Sequence, residues 1–214
     1  MAGTRTDAAA NESRRSDNQL ELAAAVILGL AAVAIAWSGF QESRWDGENA
    51  TSLTDSIRLQ NAAFDEYQLA DAQVGFDHAV FVQIVASGVC DTDPGGDACV
   101  GLLDQVSFEG QDAIDRWLDN DDLVPFRDDA AYLDPLYEEG DRLADESEMA
   151  FQAAAEADEN GDGFGMASTI LAAVLFFAGI SVVLDNVRLR IVLLAISSLM
   201  LVGSLLFLAT VPMA

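Results

Sequence analysis

The sequence predicts an all-α protein: three transmembrane helices, with an acidic helical-bundle ectodomain inserted between the first and second spans. Three observations carry that prediction. Apolar runs of about 20 residues, free of ionisable groups, occur at Leu22–Phe40, Phe164–Leu184 and Ile191–Val211, and this is the length a helix needs to cross the hydrocarbon of a bilayer. Between the first two runs, apolar residues recur at alternating intervals of four and three, the period of a helix packed along one face. Few stretches show the two-residue alternation of a strand.

In chain order, residues 1–19 form a polar tail and 20–41 the first span. Residues 42–163 form the acidic domain, 164–184 the second span, 185–190 a short connection and 191–211 the third span. Arginines near span ends set orientation. Arg5, Arg14 and Arg15 precede the first span, and Arg188 and Arg190 fill the second connection, whereas the opposite side offers chiefly Arg44. The N-terminus is therefore expected in the cytoplasm of a multi-pass cell-membrane protein, with the ectodomain and C-terminus extracytoplasmic. Ala34-Ile35-Ala36 also has the form of a leader-cleavage site. The apolar run continues past it through Trp37 to Phe40, which favours a retained span.

At the exit of the first span, Trp37, Phe40, Arg44 and Trp45 are expected to anchor the interface. Trp37, Gln41, Arg44 and Trp45 would share one helical face, so one helix passing from bilayer to water is expected. The alternative is a helix ending near Gly39, since Gly39 and Gly47 each weaken a helix interior by about 1 kcal/mol. Ala25, Gly29, Ala32 and Ala36 form a small-residue face suited to close helix packing.

The ectodomain opens with a heptad seam of Leu53, Ile57, Gln60, Phe64, Tyr67, Asp71, Val74, His78, Phe81 and Val85. Its polar members can fix register or partner choice. A second helix is expected over Ala98–Leu118, with Val100, Leu103, Val106, Ile114, Trp117 and Leu118 facing inward and Pro125 marking the following loop. A third is expected from Asp134-Pro135, where aspartate can cap and proline suits the first turn. Leu136, Leu143, Ala150, Ala154 and Ala157 continue it towards the second span.

Charge is concentrated in the middle segment. Of 36 acidic residues, 31 lie between Glu42 and Asp162 against five arginines, which accounts for the whole net charge of −26. All ten basic residues are arginine, and aspartate outnumbers glutamate 24 to 12. This composition points to a halophilic host, in which molar salt screens the self-repulsion. It also argues against nucleic acid or anionic lipid as a partner, since both would be repelled.

Cys90 and Cys99 flank the turn-rich DTDPGGDA and are expected to form a disulfide on the extracytoplasmic side. Two cysteines supply half of a structural zinc site, and no CxxC spacing or paired histidine completes it. In DENGDGFG, Asp158, Asn160, Asp162 and Gly163 match the first half of a calcium-binding EF-hand loop, but its twelfth position is Thr169, inside the second span. A polar hinge accounts for the same residues. His78 is either packed and hydrogen-bonded in the seam or, with Asp71 and Asp77, part of a pH-sensitive or metal-touching cluster. No nucleophile stands beside a base, so neither a catalytic constellation nor a cofactor is expected.

On AWSGFQESRWDGENA (Ala36–Ala50), EMAFQAAAEADENGDGF (Glu148–Phe164), TILAAVLFFAGIS (Thr169–Ser181) and the RLRIVLL and LATVP ends of the last span, the chain resembles a family of uncharacterised three-span prokaryotic, here haloarchaeal, membrane proteins. The resemblance implies a shared topology with a helical extracytoplasmic domain and brings no activity with it.

The function expected is that of a non-enzymatic membrane protein whose helical ectodomain binds or braces another protein, as a homo-oligomer or with a membrane-protein partner. The alternative is a sensory input module acting with a separate signalling partner, because two spans flanking a helical bundle look similar to the input half of chemoreceptors. Transport ranks lower, since the spans hold none of the intramembrane charges that mark ion pathways.

Overall fold

In a computed structural model, residues 3–119 and 126–214 are described, with side chains from Asp17 onward. They form α1 (Gly3–Ser87), α2 (Val89–Thr92), α3 (Asp97–Leu103), α4 (Phe108–Asp119), α5 (Ala130–Val183) and α6 (Val187–Leu208), with no strand among the described residues. Three helices, α1, α5 and α6, are long and apolar enough to cross a membrane. The arginine side chains at positions 5, 14 and 15 and the loop residue Pro125 lie outside the described residues.

Contacts divide the chain into two compact units. The first joins Met1–Ser52 to Gln152–Ala214; the second is Leu53–Phe151.

In the first unit, α1, α5 and α6 bury lines of residues at intervals of three and four, the spacing of knobs-into-holes packing. On α1 that line is Ala24, Ile27, Ala31, Ala34, Ser38 and Gln41. The small residues expected to pack, Ala25, Gly29, Ala32 and Ala36, lie one position round the helix and are exposed. The physical reason is that alanines populate both faces, and only the Ala24 face also brings Ile27 to the core. Ser38 Oγ donates to the Phe164 carbonyl at 2.8 Å. The Trp37 ring meets Phe164 edge-on at 5.7 Å.

Helix α1 runs unbroken through Gly39 and Gly47, so the alternative of a helix ending near Gly39 fails. Of the anchor residues, Arg44 Nη1 donates to the Ala214 carbonyl and Trp45 Nε1 to that of Pro212 at 3.1 Å. Phe40 is exposed. Helix α6 begins at Val187, because Asn186 Oδ1 accepts from Arg188 N and Leu189 N. Arg188 and Arg190 therefore occupy its first turn rather than the connection where they were expected.

The second unit corrects three expectations. The helix expected over Ala98–Leu118 is two, because Ser107 starts a new one: its Oγ accepts from Gly110 N at 3.0 Å and its carbonyl from Gln111 N at 2.9 Å. Val106 and Ile114 are buried as expected, but Val100 and Leu118 are exposed. Helix α5 starts at Ala130 rather than at Asp134-Pro135, capped by Asp129, whose Oδ1 accepts from Ala131 N at 3.1 Å. Pro135 is then inside the second turn. The heptad seam is also displaced by one residue. The α1 side chains buried every seven residues are Ser56, Ala63, Ala70, Asp77 and Ile84, while Leu53, Ile57, Phe64 and Val85 of the expected seam are exposed.

This displacement has a packing cause. Helices approach most closely where side chains are small, so Ser56, Ala63 and Ala70 form the contact line and larger neighbours are pushed to its edges. Ser56 and Ser147 hydroxyls meet at 3.2 Å across that line. Beyond it, Val80, Ile84, Val106, Ala113, Ile114, Phe126 and Tyr132 form the core of the unit. Phe81, Trp117, Phe126 and Tyr132 interlock there edge to face, with ring centroids 5.0–5.8 Å apart.

Candidate functional site

The chain has three tyrosines, and each donates its phenol proton to an aspartate on the opposite helix of the α1–α5 pair in the second unit. Tyr67 on α1 reaches Asp141 Oδ1 at 2.7 Å, and Tyr137 on α5 returns the contact to Asp71 Oδ1 at 2.5 Å. Each bond comes from the same pentapeptide pattern, YQLAD (Tyr67–Asp71) and YEEGD (Tyr137–Asp141). In a helix, tyrosine and the aspartate four residues on lie on one face, with the small third-following residue facing the partner. Two antiparallel copies of the pattern therefore exchange phenol and carboxylate reciprocally.

The small residues are required by the approach. A Cβ on Gly140 would stand 2.5 Å from Tyr67 Cε1, and Ala70 on the other helix of the exchange is buried. The two rings lie 6.1 Å apart. Acceptance by a carboxylate favours the neutral phenol. The hydrogen bond to Asp141 raises Tyr67 above its ordinary value, and that to Asp71 raises Tyr137 to about 12.

The third pair is buried. Asp77 is almost fully enclosed and accepts three hydrogen bonds: from Ser107 N at 2.9 Å, from Ser107 Oγ at 2.5 Å and from Tyr132 OH at 2.8 Å. One carboxylate on α1 thus holds the start of α4 and the first turn of α5, and its charge faces the positive end of the α4 helix dipole. Burial first, and then the bond to Asp77, pushes the Tyr132 phenol well above its ordinary value. Gly110 is confined by this arrangement, since a Cβ there would stand 2.8 Å from Asp77 Oδ2. Nearby, buried Asp129 binds Arg116 Nε at 2.8 Å while capping α5.

These contacts separate the residues expected to cluster around His78. Asp71 is engaged by Tyr137 and Asp77 by Ser107 and Tyr132, while His78 is exposed. It is neither the packed seam histidine nor the centre of a carboxylate cluster.

The segment DENGDGFG lies wholly within α5, so it is neither hinge nor loop. On a helix Asp158 and Asp162 share a face and Asn160 points away, which removes the convergent geometry of a calcium loop. Among the described residues, no three His, Cys, Asp or Glu side chains group closely enough to hold a metal. Gly161 and Gly163 instead admit neighbours: a Cβ on Gly161 would lie 3.5 Å from Trp45 Cβ, and one on Gly163 would lie 3.4 Å from Val211.

Cys90 and Cys99 are joined as a disulfide, with Cα atoms 5.0 Å apart, and tie α2 to α3. The bridge walls a cavity of about 460 Å³, lined mainly by Phe81, Ile84, Leu103, Ile114 and Trp117 with Asp91 among its polar groups. Sequence reasoning missed both this cavity and the tyrosine–aspartate pairs; the repeated Tyr-x-x-small-Asp pattern was the available signal for the latter. No protein family, curated protein or solved structure matches the chain.

Proposed function

We propose that the protein is a non-enzymatic integral membrane protein whose acidic helical domain binds or braces another protein on the extracytoplasmic side. One observation carries this reading: Leu53, Ile57 and Phe64 stay exposed along one face of a segment that otherwise carries the chain's entire net charge. Isolated exposed apolar residues are ordinary, but a helical stripe of them with no charged member suits a protein contact. The excess of arginine at the N-terminus and near Arg188 supports a cytoplasmic N-terminus. A tag in the Asp91–Asp97 turn tests the topology: labelling from outside intact cells is expected, and labelling only after lysis overturns it. Crosslinking in native membranes at high salt tests the contact, with a purely monomeric product as the refuting result.

A second reading, an extracytoplasmic sensory input module, is favoured by the apolar cavity beside the disulfide, whose size suits a small molecule. Indole added to the intact protein serves as a probe. A rise in the melting temperature of the second unit, absent in Ile114→Trp, supports this reading, and no shift at millimolar indole refutes it.

A further inference from the structure

We propose that the exposed Leu53–Ile57–Gln60–Phe64 face of α1 docks against the same face of a second copy of this chain. This deepens the interaction reading above and rests on it.

The face is well defined. Leu53, Ile57, Gln60 and Phe64 follow one another at intervals of four, three and four, so they form a single stripe along α1. Within the chain this stripe has been displaced from the helix contact by Ser56 and Ala63, and Phe64 is left 62% exposed. The stripe borders a groove of about 270 Å³ between α1 and α5, lined by Gln60, Ala63, Phe64 and Tyr67 on one side and Ala144, Ser147 and Glu148 on the other. Phe151, 51% exposed, lies one turn beyond Ser147 and extends the apolar surface on α5.

Two arguments select a second copy over a foreign partner, and the buried area sets the strength of the contact. The first is charge. A domain this acidic attracts basic surfaces to its carboxylates, yet from Leu53 to Phe64 the stripe carries no charge, so on α1 it meets its own image without opposing carboxylates, with Glu148 on the α5 wall of the groove. The second is symmetry. Copies embedded through the same spans share one orientation in the bilayer, so a two-fold axis along the membrane normal brings identical faces together at the same height. Gln60, which both donates and accepts, then meets the other copy's Gln60 near that axis, a self-complementary polar contact of the kind that fixes register.

Leu53, Ile57, Phe64 and Phe151 each leave roughly 100 Å² exposed, so a pair buries about 800 Å² before polar neighbours are counted, against about 1,600 Å² for a standard interface. Confinement of both copies to one membrane raises their effective concentration and lets a contact of this size persist.

The test is cysteine crosslinking of the full-length protein in native membranes, at high salt with a mild oxidant. Both native cysteines are in the disulfide, so a cysteine introduced by Gln60→Cys or Ile57→Cys is the reactive one. A reductant-sensitive homodimer is expected, at least fivefold more abundant than with Leu69→Cys, an exposed control on another face. Adding Phe64→Asp to Gln60→Cys is expected to reduce that dimer at least fivefold. A dimer yield from Gln60→Cys no greater than from Leu69→Cys overturns the proposal. If the cysteine at position 60 instead joins a different protein, the homotypic proposal falls while the interaction reading survives. If it joins nothing, both fall.

Discussion

Replacing Asp77 by alanine removes the acceptor of three hydrogen bonds in one step and leaves the Ser107 N–H and the Tyr132 hydroxyl facing a closed site. A buried donor deprived of its partner costs about 1–3 kcal/mol. Ser107 Oγ can rotate, so two stranded donors set the scale at about 2–6 kcal/mol, and loss of the charge at the start of α4 adds to it. For a unit of about 100 residues each kcal/mol lowers the melting temperature by about 4–8 °C. A drop of at least about 10 °C, and up to about 40 °C, is therefore expected. Trp117 is the only tryptophan of this unit, so its fluorescence in a Trp37→Phe, Trp45→Phe background reports the unit inside the intact protein. Asp77→Asn, which keeps one acceptor oxygen, should fall between wild type and alanine, while the exposed Asp65→Ala should shift the midpoint by no more than about 4 °C. A drop for Asp77→Ala no larger than that for Asp65→Ala would refute the assignment of Asp77 as the tie between α1, α4 and α5.

Other outcomes follow from the same contacts. Gly140→Ala places a methyl 2.5 Å from the Tyr67 ring and should destabilise the second unit by about 1–3 kcal/mol despite its better helix propensity, read by the Trp117 midpoint. All three phenols have folded values above the ordinary one, near 12 for Tyr137, so unfolded chains lose these protons first. Stability should hold below pH 10 and fall as pH rises from 10 through 12, with phenolate absorbance at 295 nm delayed in folded protein relative to denatured protein. Reducing the Cys90–Cys99 bridge reopens a short loop and should lower stability by about 2–3 kcal/mol, seen as a lower Trp117 midpoint in dithiothreitol.

The apolar runs and the helix period were legible because they depend on composition and spacing alone. Register was not. The expected seam followed the largest side chains, Leu53, Ile57 and Phe64, whereas the helices meet through Ser56, Ala63 and Ala70, because close approach selects small residues and expels large ones. The DENGDGFG segment misled for a related reason. Its glycines suggested a break, but Gly161 and Gly163 lie against Trp45 and Val211, where they permit contact and the helix continues. The start of α5 was misplaced because Asp129 and Asp134 offer the same capping chemistry, and only the tertiary contact of Asp129 with Arg116 distinguishes them. The tyrosine–aspartate exchange was written in YQLAD and YEEGD, yet its meaning depends on two segments 70 residues apart lying antiparallel.

Arg190, buried in the first turn of α6 with Asp17 and Glu21 at 3.6 and 4.0 Å, bears on bilayer thickness. A guanidinium paired with two carboxylates resists being drawn into oil, so the greasy part of α6 starts at Ile191 and ends with the helix at Leu208. Eighteen residues rise about 27 Å, slightly less than the hydrocarbon depth of a typical bilayer. Such a segment has little length to spare for tilting, so it should stand nearly upright and draw the surrounding lipid slightly thinner.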